Sequence, residues 1–577
     1  MKKLLTYLRP YRKECILGPL FKLLEALFEL FVPLVMTDII DIGLAAGDRS
    51  YIWSRCGVLV LLAVVGLASA ITAQLFAARA STGFSAILRS RLFAHVQSLS
   101  YTELDSLGAS TIITRMTSDV NQVQNGVNMA LRLLLRSPFV VFGAMVMAFT
   151  IDVPAALVFA GVIPVLLAVV FAIILATVPM HRQVQAGLDQ VTSATRENLT
   201  GVRVLRAFRK EQEEIQEFSR RNEALNRLQI RVGRISNLLN PVTYVILNLA
   251  VVILLQKGAV RVESGALTQG QVVALYNYMS QILVELIKMA NLIITITKAV
   301  ACGNRIQGVL QTESSQHSGA HQPGRQGRVE FCQVSMAYHG AAAEAISQVS
   351  FVAEPGQTIG IIGGTGSGKT TLANLIPRFY DTTQGQVRID GQDVKSLDIQ
   401  ALRSSIAVVP QKAALFRGTI RSNLQWGNPQ ATEEEMTSAL AIAQALDIVE
   451  NKAGGLDAAV EQGGANFSGG QRQRLTIARA LVRRPKILIL DDSASALDYA
   501  TDAKLRMAIA GLPNPPTTFI VSQRAASVRQ ADLILVLEDG HVVGQGKHQE
   551  LMETCQVYRE IYYSQFPKEA AANGKIR

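Results

Sequence analysis

The stretch GGTGSGKT, residues 363–370, has the spacing G-x-x-x-x-G-K-[ST] between an apolar strand, TIGII, and a helical segment, TTLANLI. Glycines let successive backbone N–H groups converge on phosphate oxygens, while the lysine adds a positive charge and the threonine hydroxyl binds Mg²⁺. The pattern predicts a nucleotide phosphate-binding loop made of Gly363, Gly364, Thr365, Gly366, Ser367, Gly368, Lys369, Thr370 and Thr371.

Three more residues fit the same nucleotide. Asp491 ends the apolar strand KILILD, where a carboxylate is expected in the magnesium shell. Gln411 ends SIAVVPQ, where its amide can sense the metal and the attacking water. Tyr338 follows VEFCQVSMA and is predicted to stack on adenine, with strand packing as the alternative. Together these residues predict ATP and Mg²⁺ as cofactors.

A second anion-binding device lies in NFSGGQRQRL, residues 466–475. Its serine and glycine amides stand at the predicted start of a helix, where the helix dipole favours negative charge. The residues concerned are Ser468, Gly469, Gly470 and Gln471. One ATP cannot easily use both devices, so the chain has two phosphate-binding surfaces.

Upstream of residue 312 the chain has six apolar runs of membrane-spanning length. The connections alternate between short turns and two long helical segments near 81–131 and 179–237. The second long segment carries eleven Lys or Arg residues, whereas the three short turns together carry three. This asymmetry places the N-terminus, both long segments and the C-terminal half in the cytoplasm. The predicted spans are 16–42, 56–80, 132–152, 155–178, 238–260 and 270–298.

Composition excludes several other classes. The 577 residues are 49% hydrophobic and 18% charged, which is too apolar for an ordinary soluble protein. The net charge of +11 reflects membrane orientation, so no nucleic acid is expected as a partner. The five cysteines have no CxxC or CxxH spacing, which argues against a metal cluster and a disulfide framework.

The chain changes character after a polar Gly/Pro/Ser-bearing segment, TESSQHSGAHQPGRQGR. Beyond it, short β-branched strands alternate with helical stretches, the pattern of an α/β domain with a mostly parallel sheet. The predicted domains are a transmembrane domain over 1–311, a linker over 312–328 and a nucleotide-binding domain over 329–577.

These motifs, in this order after six spans, resemble an ATP-binding cassette (ABC) exporter half-transporter. The resemblance implies an α-helical membrane domain, which lies in a bacterial inner membrane, and a C-terminal α/β P-loop domain in the cytoplasm. It also implies a second half-transporter, with each ATP held between one chain's phosphate loop and the other chain's signature, here Ser468–Gln471. Asp498, in SALD, is then expected to touch the opposite site. By the same resemblance, residues 111–120 and 201–212 occupy the places of the two coupling helices, which dock on the nucleotide-binding domains. The alternative is that both segments are solvated helical loops.

Two residues depart from the family pattern. The residue after the Walker B aspartate is Asp492 where the family has glutamate, and Gln523 stands where it has the switch histidine. Aspartate is one methylene shorter, and glutamine cannot carry a proton or a positive charge. Asp492, Gln523 and Gln411 are the predicted catalytic residues, and the two departures predict that ATP is hydrolysed slowly at this site. The pattern resembles the degenerate-site subunit of heterodimeric bacterial multidrug exporters, whose partner supplies the glutamate and histidine and has an altered signature.

The transported compound is specified less well. The spans suit hydrophobic or amphipathic compounds, with drugs as the favoured class, but lipid contact requires the same composition. Lys22, Glu25, Glu29, Glu285 and Lys288 fall in or near the spans, where charges pair or face a cavity. Lys22 and Glu25 are spaced i,i+3, as are Glu285 and Lys288, so each pair is expected to neutralise itself on one helix face. Cation recognition by Glu29 is one hypothesis. Export of a lipid, peptide or thiol metabolite, and a nucleotide-gated channel or regulator, remain alternatives.

Overall fold

The computed structural model describes residues 3–567. Its contacts divide the chain into two compact units. One unit contains the chain up to Gln97 together with Ser110–Thr312, and the other contains Ser98–Ala109 together with the chain from Glu313 onward.

The N-terminal part is helical, and its helices continue well beyond the apolar runs. Within residues 3–567, five helical stretches are long and apolar enough to cross a membrane: Arg49–Ser98, Ala109–Ile151, Val153–Thr200, Glu211–Glu263 and Gln269–Gln311. Arg12–Asp38 has the length to span but carries more charge. The α-helices are α1 Arg12–Asp38, α2 Arg49–Ser98, α3 Tyr101–Leu107, α4 Ala109–Thr114, α5 Val120–Leu133, α6 Arg136–Ile151, α7 Val153–Thr200, α8 Val202–Ala207, α9 Glu211–Asn237, α10 Leu239–Glu263 and α11 Gln269–Gln311.

The charges of α1 are paired inside the N-terminal unit. Lys22 lies 2.5 Å from Glu25, and the Arg136 guanidinium lies 2.6 Å from Glu29. The same guanidinium also bonds Glu285, which is 3% exposed and receives a second bond from Lys288 at 2.8 Å. The two i,i+3 pairs expected from the sequence are present, and Arg136 joins them into one neutral network across α1, α6 and α11.

The C-terminal unit is an α/β domain built on a six-stranded sheet. The strand order is β12-β11-β3-β10-β9-β6, in which only the edge strand β12 is antiparallel to its neighbour. A four-stranded antiparallel sheet has the order β2-β1-β4-β5, and β7 pairs with β8. The strands are β1 Val329–Met336, β2 Ile346–Ala353, β3 Thr358–Gly363, β4 Gln384–Ile389, β5 Gln392–Asp393, β6 Ile406–Val409, β7 Gly418–Thr419, β8 Ala459–Val460, β9 Ile487–Asp491, β10 Thr517–Val521, β11 Leu533–Glu538 and β12 His541–Gly546.

Helices cover this sheet and bury its apolar strands. Strands β9 and β10 are buried at every position, as parallel strands covered on both faces require. The mostly parallel sheet predicted from the β-branched runs is therefore confirmed. The helices are α12 Lys369–Leu375, α13 Ile399–Ser405, α14 Ile420–Leu424, α15 Glu433–Ile442, α16 Leu446–Glu450, α17 Gly469–Val482, α18 Tyr499–Ala510, α19 Ala525–Val528, α20 His548–Thr554 and α21 Gln556–Gln565.

Ser98–Ala109 packs in the C-terminal unit although it lies between two segments of the membrane unit in the chain. Tyr101 of α3 contacts the Phe379 ring at 4.8 Å, and Tyr380 donates a hydrogen bond to Asp105 at 2.6 Å. The first coupling segment was expected at 111–120, but these contacts fall on α3. Periodicity shows that a stretch is helical without showing which turn of it meets a partner surface.

Candidate nucleotide-binding site

The predicted nucleotide residues follow the carboxyl ends of four neighbouring parallel strands. The phosphate loop follows β3, Gln411 follows β6, Asp491 ends β9 and Gln523 follows β10. Because β3, β10, β9 and β6 are adjacent and parallel, these ends meet at one edge of the sheet. Ligands bind in open α/β sheets at this kind of edge. The sheet therefore brings together residues that are more than a hundred positions apart in the chain.

The phosphate loop needs glycine for steric reasons at two positions. A Cβ at Gly363 would stand 2.1 Å from the Leu537 carbonyl oxygen, so a side chain would collide with β11. Gly368 has a φ of +91°, and its Cβ would lie 2.4 Å from the Ala345 carbonyl oxygen. It precedes α12, whose first N–H groups have no partner within the helix. The loop thus delivers free N–H donors to one point at a helix N-terminus.

Lys369 is buried inside this loop. Its Nζ atom donates to the carbonyl oxygens of Gly363 at 3.1 Å and Gly364 at 2.5 Å. Burial lowers the pKa of Lys369, and the nearby carboxylates of Asp492 and Asp491 act against that effect. A hydrogen bond from an ammonium to a phosphate anion is stronger than one to a neutral carbonyl oxygen, so the loop is suited to an anionic ligand.

Thr370 and Asp491 form a pair of oxygen ligands beside the loop. The Thr370 hydroxyl donates to Asp491 Oδ1 at 3.0 Å. Burial raises the pKa of Asp491, and the Thr370 hydrogen bond partly offsets that rise. A hydroxyl and a carboxylate at this separation suit Mg²⁺, which takes few protein ligands and completes its shell with water and phosphate oxygens. The residues present therefore fit the predicted ion.

The three predicted catalytic residues follow strands of the same sheet edge. The Gln411 amide donates to Asp492 Oδ2 at 3.3 Å. The Asp492 backbone N–H donates to the Val521 carbonyl at 2.9 Å, two residues before Gln523. Asp492 has a φ of +46°, a left-handed conformation in which aspartate and asparagine are enriched. The Gln523 side chain is exposed at the same edge.

Tyr338 lies just beyond the end of β1. Its hydroxyl is 2.9 Å from the Thr371 hydroxyl, and its ring meets the Tyr380 ring edge-on at 5.2 Å. Tyr380 in turn bonds Asp105 of α3, and burial together with that carboxylate raises the pKa of Tyr380. A chain of contacts therefore runs from the phosphate-loop helix through both tyrosine rings to α3. Adenine stacking on Tyr338 stays a prediction.

Replacing Tyr380 with phenylalanine removes the hydroxyl bonded to Asp105 and keeps the ring. A hydrogen bond to a charged group contributes about 1.5–3 kcal/mol, so we expect residues 98–109 to exchange backbone amide hydrogens about tenfold faster. Hydrogen exchange followed by mass spectrometry measures this change. Tyr338→Phe is the matched control, since its hydroxyl bonds Thr371. Equal exchange rates in wild type and Tyr380→Phe would show that the bond does not anchor α3.

The second anion-binding device has the geometry of an open helix N-terminus. Ser468 caps α17: its hydroxyl accepts from the Gln471 N–H at 3.3 Å, and its own N–H donates to Gln471 Oε1 at 3.0 Å. Ser468 and Gly469 are exposed, and a Cβ at Gly469 would meet no atom within 4 Å. Asp498 caps α18, where the Thr501 N–H lowers the pKa of its carboxyl.

Comparison with known proteins agrees with this architecture. Residues 15–286 match the family described as the ABC transporter transmembrane region, and residues 346–495 match the family described as ABC transporter. The uncharacterized ABC transporter ATP-binding protein YfiB of Bacillus subtilis is 37% identical over 572 residues, covering 99% of this chain and all of YfiB. This chain belongs to the ABC transporter family. It is a half-transporter that uses ATP and crosses the membrane several times.

Two further relatives extend the comparison of this ABC half-transporter. An ATP-dependent lipid A-core flippase of Chromobacterium violaceum is 29% identical over 576 residues, covering 99% of this chain and 98% of the flippase. A solved structure of a bacterial Atm1-family ABC exporter with ATP bound has a TM-score of 0.80 and 22% identity, covering 96% of this chain and 98% of that chain. The latter likeness shows that the chain has the exporter fold.

Several residues with clear contacts at the site were not predicted. Arg524 binds the loop that follows Asp492, Gln565 binds the backbone of Gln523, and Tyr380 joins Tyr338 to α3. Arg524 directly follows the predicted Gln523, so its positive charge next to the switch position could have indicated a role at the site. Gln565 and Tyr380 had no such signal because their partners lie far away in sequence.

Proposed function

We propose that this chain is one subunit of a heterodimeric exporter, in which its own ATP site turns over slowly and its signature completes the partner's site. The observation that carries the proposal is the position of Asp492 and Gln523. Both altered residues flank one phosphate-binding loop, while Ser468–Gln471 keep the sequence and capping geometry of an intact signature. Neutral drift alone would have to alter one site twice and spare the other.

The contacts at Asp492 support a slow site. Its short carboxylate is engaged by the Gln411 amide at 3.3 Å, and its backbone is fixed to β10. A glutamate would extend one methylene further toward an attacking water. Displacements near 1 Å cost about a hundredfold in rate, so the shorter residue at a fixed backbone position is expected to be a poor base.

The binding residues in the same site support retained ATP affinity. Lys369 supplies positive charge, Thr370 and Asp491 would hold Mg²⁺, and Tyr338 offers a ring for adenine. When bound, Mg²⁺ would neutralise charge on the outer phosphates. The ATP at this chain's own site then mainly stabilises the association of the two nucleotide-binding domains. Hydrolysis at the partner's site separates them and returns the transporter to its starting state.

Exposed surfaces on each unit support association with a second chain. The signature presents open space at Gly469. In α8 and the turns beside it, the apolar side chains of Leu199, Val204 and Phe208 are 72%, 60% and 74% exposed. Exposed apolar side chains grouped in one short segment indicate an interaction site. We infer that the partner subunit covers both surfaces.

We propose amphipathic compounds as the transported class, with drugs and lipids as its two members. Glu29 is bonded to Arg136, so recognition of a cation by Glu29 would require breaking that pair. The lipid member is supported by the relative described as a lipid A-core flippase. Two assays distinguish a lipid substrate from a drug substrate. ATP-dependent movement of a fluorescent phospholipid in proteoliposomes would indicate a lipid, whereas uptake of a fluorescent cationic dye into inverted vesicles would indicate a drug.

The slow-site proposal predicts a gain of function. Asp492→Glu combined with Gln523→His is expected to raise hydrolysis at this chain's own site by about ten- to a hundredfold, because both restored groups reach the attacked phosphate. The complex is purified through a tag on this chain, trapped with vanadate and a photoreactive azido-ATP, and its subunits are separated. Label should lie on the partner in wild type and on both subunits in the double variant.

Lys369→Ala added to the double variant is the control, because it removes the phosphate contact and should abolish the new label. Two results would contradict the proposal. One is a partner that lacks the glutamate and histidine. The other is a homodimer of this chain that traps nucleotide on its unaltered site.

A further inference from the structure

Arg524 fixes the loop that follows Asp492. One guanidinium nitrogen donates to the carbonyl oxygens of Ala494 at 2.9 Å and Leu497 at 3.0 Å, and the second donates to Ser495 at 3.0 Å. The guanidinium also lies 5.1 Å above the Tyr499 ring centroid. Three charge-assisted bonds from two guanidinium nitrogens use the fork of an arginine, which a lysine cannot reproduce. We call residues 493–498 the coupling loop.

The coupling loop directly follows Asp492 and reaches the signature. The Asp492 carbonyl accepts from the Ser495 N–H at 3.1 Å and the Ser495 hydroxyl at 2.8 Å. At its other end, the Ala496 carbonyl oxygen lies close to the first turn of α17, since a Cβ at Gly470 would stand only 3.1 Å from it. The loop therefore contacts both the slow site's altered residue and the surface assigned to the partner's ATP.

The C-terminal helix holds Arg524 from the other side. The Gln565 side-chain amide donates to the Gln523 carbonyl at 2.8 Å and accepts from the Ala525 N–H at 2.8 Å. Its helix, α21, is anchored by Tyr558 and Tyr562, which are 0% and 1% exposed. The backbone groups on both sides of Arg524 are thus tied to one side chain, so Gln523, the Arg524 guanidinium and the loop bound to it are expected to move together.

We propose that Arg524 is a positioning residue that links this chain's own ATP site to the partner's site. It transmits the position of Gln523 to the coupling loop, and the loop sets the position of Gly470 and Asp498 against the opposite ATP. The inference rests on the proposed function, because the signature must serve another chain's nucleotide. Chains of hydrogen bonds and packed side chains of this kind can carry a coupling free energy between two distinct ligand sites.

The test uses the intact complex purified from its native membrane. Arg524→Ala is expected to lower ATP turnover about tenfold while leaving the KM for ATP within about twofold, since no residue that contacts the nucleotide is removed. Photolabelling of this chain by azido-ATP without vanadate should be unchanged, which shows that its own site is folded. Gln565→Leu is expected to act in the same direction with a smaller effect, and it provides a second variant if Arg524→Ala fails to fold.

Two comparisons separate positioning from simple structural support. Arg559→Ala removes a guanidinium bond to the Glu553 carbonyl at 3.0 Å in the same C-terminal region, and it should leave turnover unchanged. Arg524→Lys keeps the charge but not the fork, so full turnover in that variant would overturn the inference. Wild-type turnover and KM in Arg524→Ala would also overturn it, with the proposed function intact. Vanadate trapping on this chain in wild type would instead overturn the proposed function, and the inference with it.

Discussion

Replacing Gly469 with alanine is expected to abolish ATP turnover by the complex while leaving this chain folded. The added methyl group meets no atom of this chain within 4 Å, and alanine is favoured over glycine by about 1 kcal/mol inside a helix. The same methyl group would occupy the space through which a phosphate approaches the first N–H groups of α17. Loss of one such donor costs about a hundred- to a thousandfold in rate.

The measurement is steady-state ATP hydrolysis together with the thermal unfolding midpoint of the detergent-solubilised complex. Gly233→Ala is a matched control, because Gly233 lies within α9 and its Cβ would also meet no atom within 4 Å. Ser468→Asp provides a second variant: aspartate keeps the helix cap but places a negative charge against the phosphate. Normal turnover in Gly469→Ala would show that ATP does not approach this surface.

Replacing Arg136 with leucine is expected to destabilise the membrane domain by about 3–5 kcal/mol. Among the residues that the structure describes, the substitution leaves Glu285, which is 3% exposed, with Lys288 and Ser137 as partners, and it removes the Arg136 partner of Glu29. A buried carboxylate without its main counter-ion costs far more than a lost surface ion pair. The readout is the temperature at which the detergent-solubilised complex loses its monodisperse form.

Two variants make this result specific to the buried network. Arg136→Leu combined with Glu285→Leu removes one charge of each sign, so it should recover much of the loss seen in the single variant. Arg55→Leu breaks a pair with Asp38 whose side chains are 36% and 39% exposed, and it should have little effect. A single Arg136 variant as stable as wild type would mean that the network is not under this electrostatic constraint.

The two predictions differ in whether the residue's role depends on a local sequence pattern or on partners that are distant in the sequence. Gly469 is defined by a short local pattern, SGGQ, whose geometry is fixed by the start of one helix. Arg136 is defined by partners 107 and 149 positions away, in two other helices. The sequence pattern predicted the local pairs Lys22–Glu25 and Glu285–Lys288, since i,i+3 neighbours share a helix face. It contained no sign that Arg136 would join them.

The amino-acid sequence by itself determined the fold class and the family. It also predicted the residues that meet at one sheet edge, because strand, loop and helix alternate locally and parallel strands end together. The tertiary structure decided which surfaces meet over long distances: α3 instead of 111–120 against Phe379, Tyr380 against Asp105 at a separation of 275 residues, and Arg524 across the coupling loop. Periodicity and motif spacing report backbone geometry within a few turns, whereas these contacts depend on how separate elements pack.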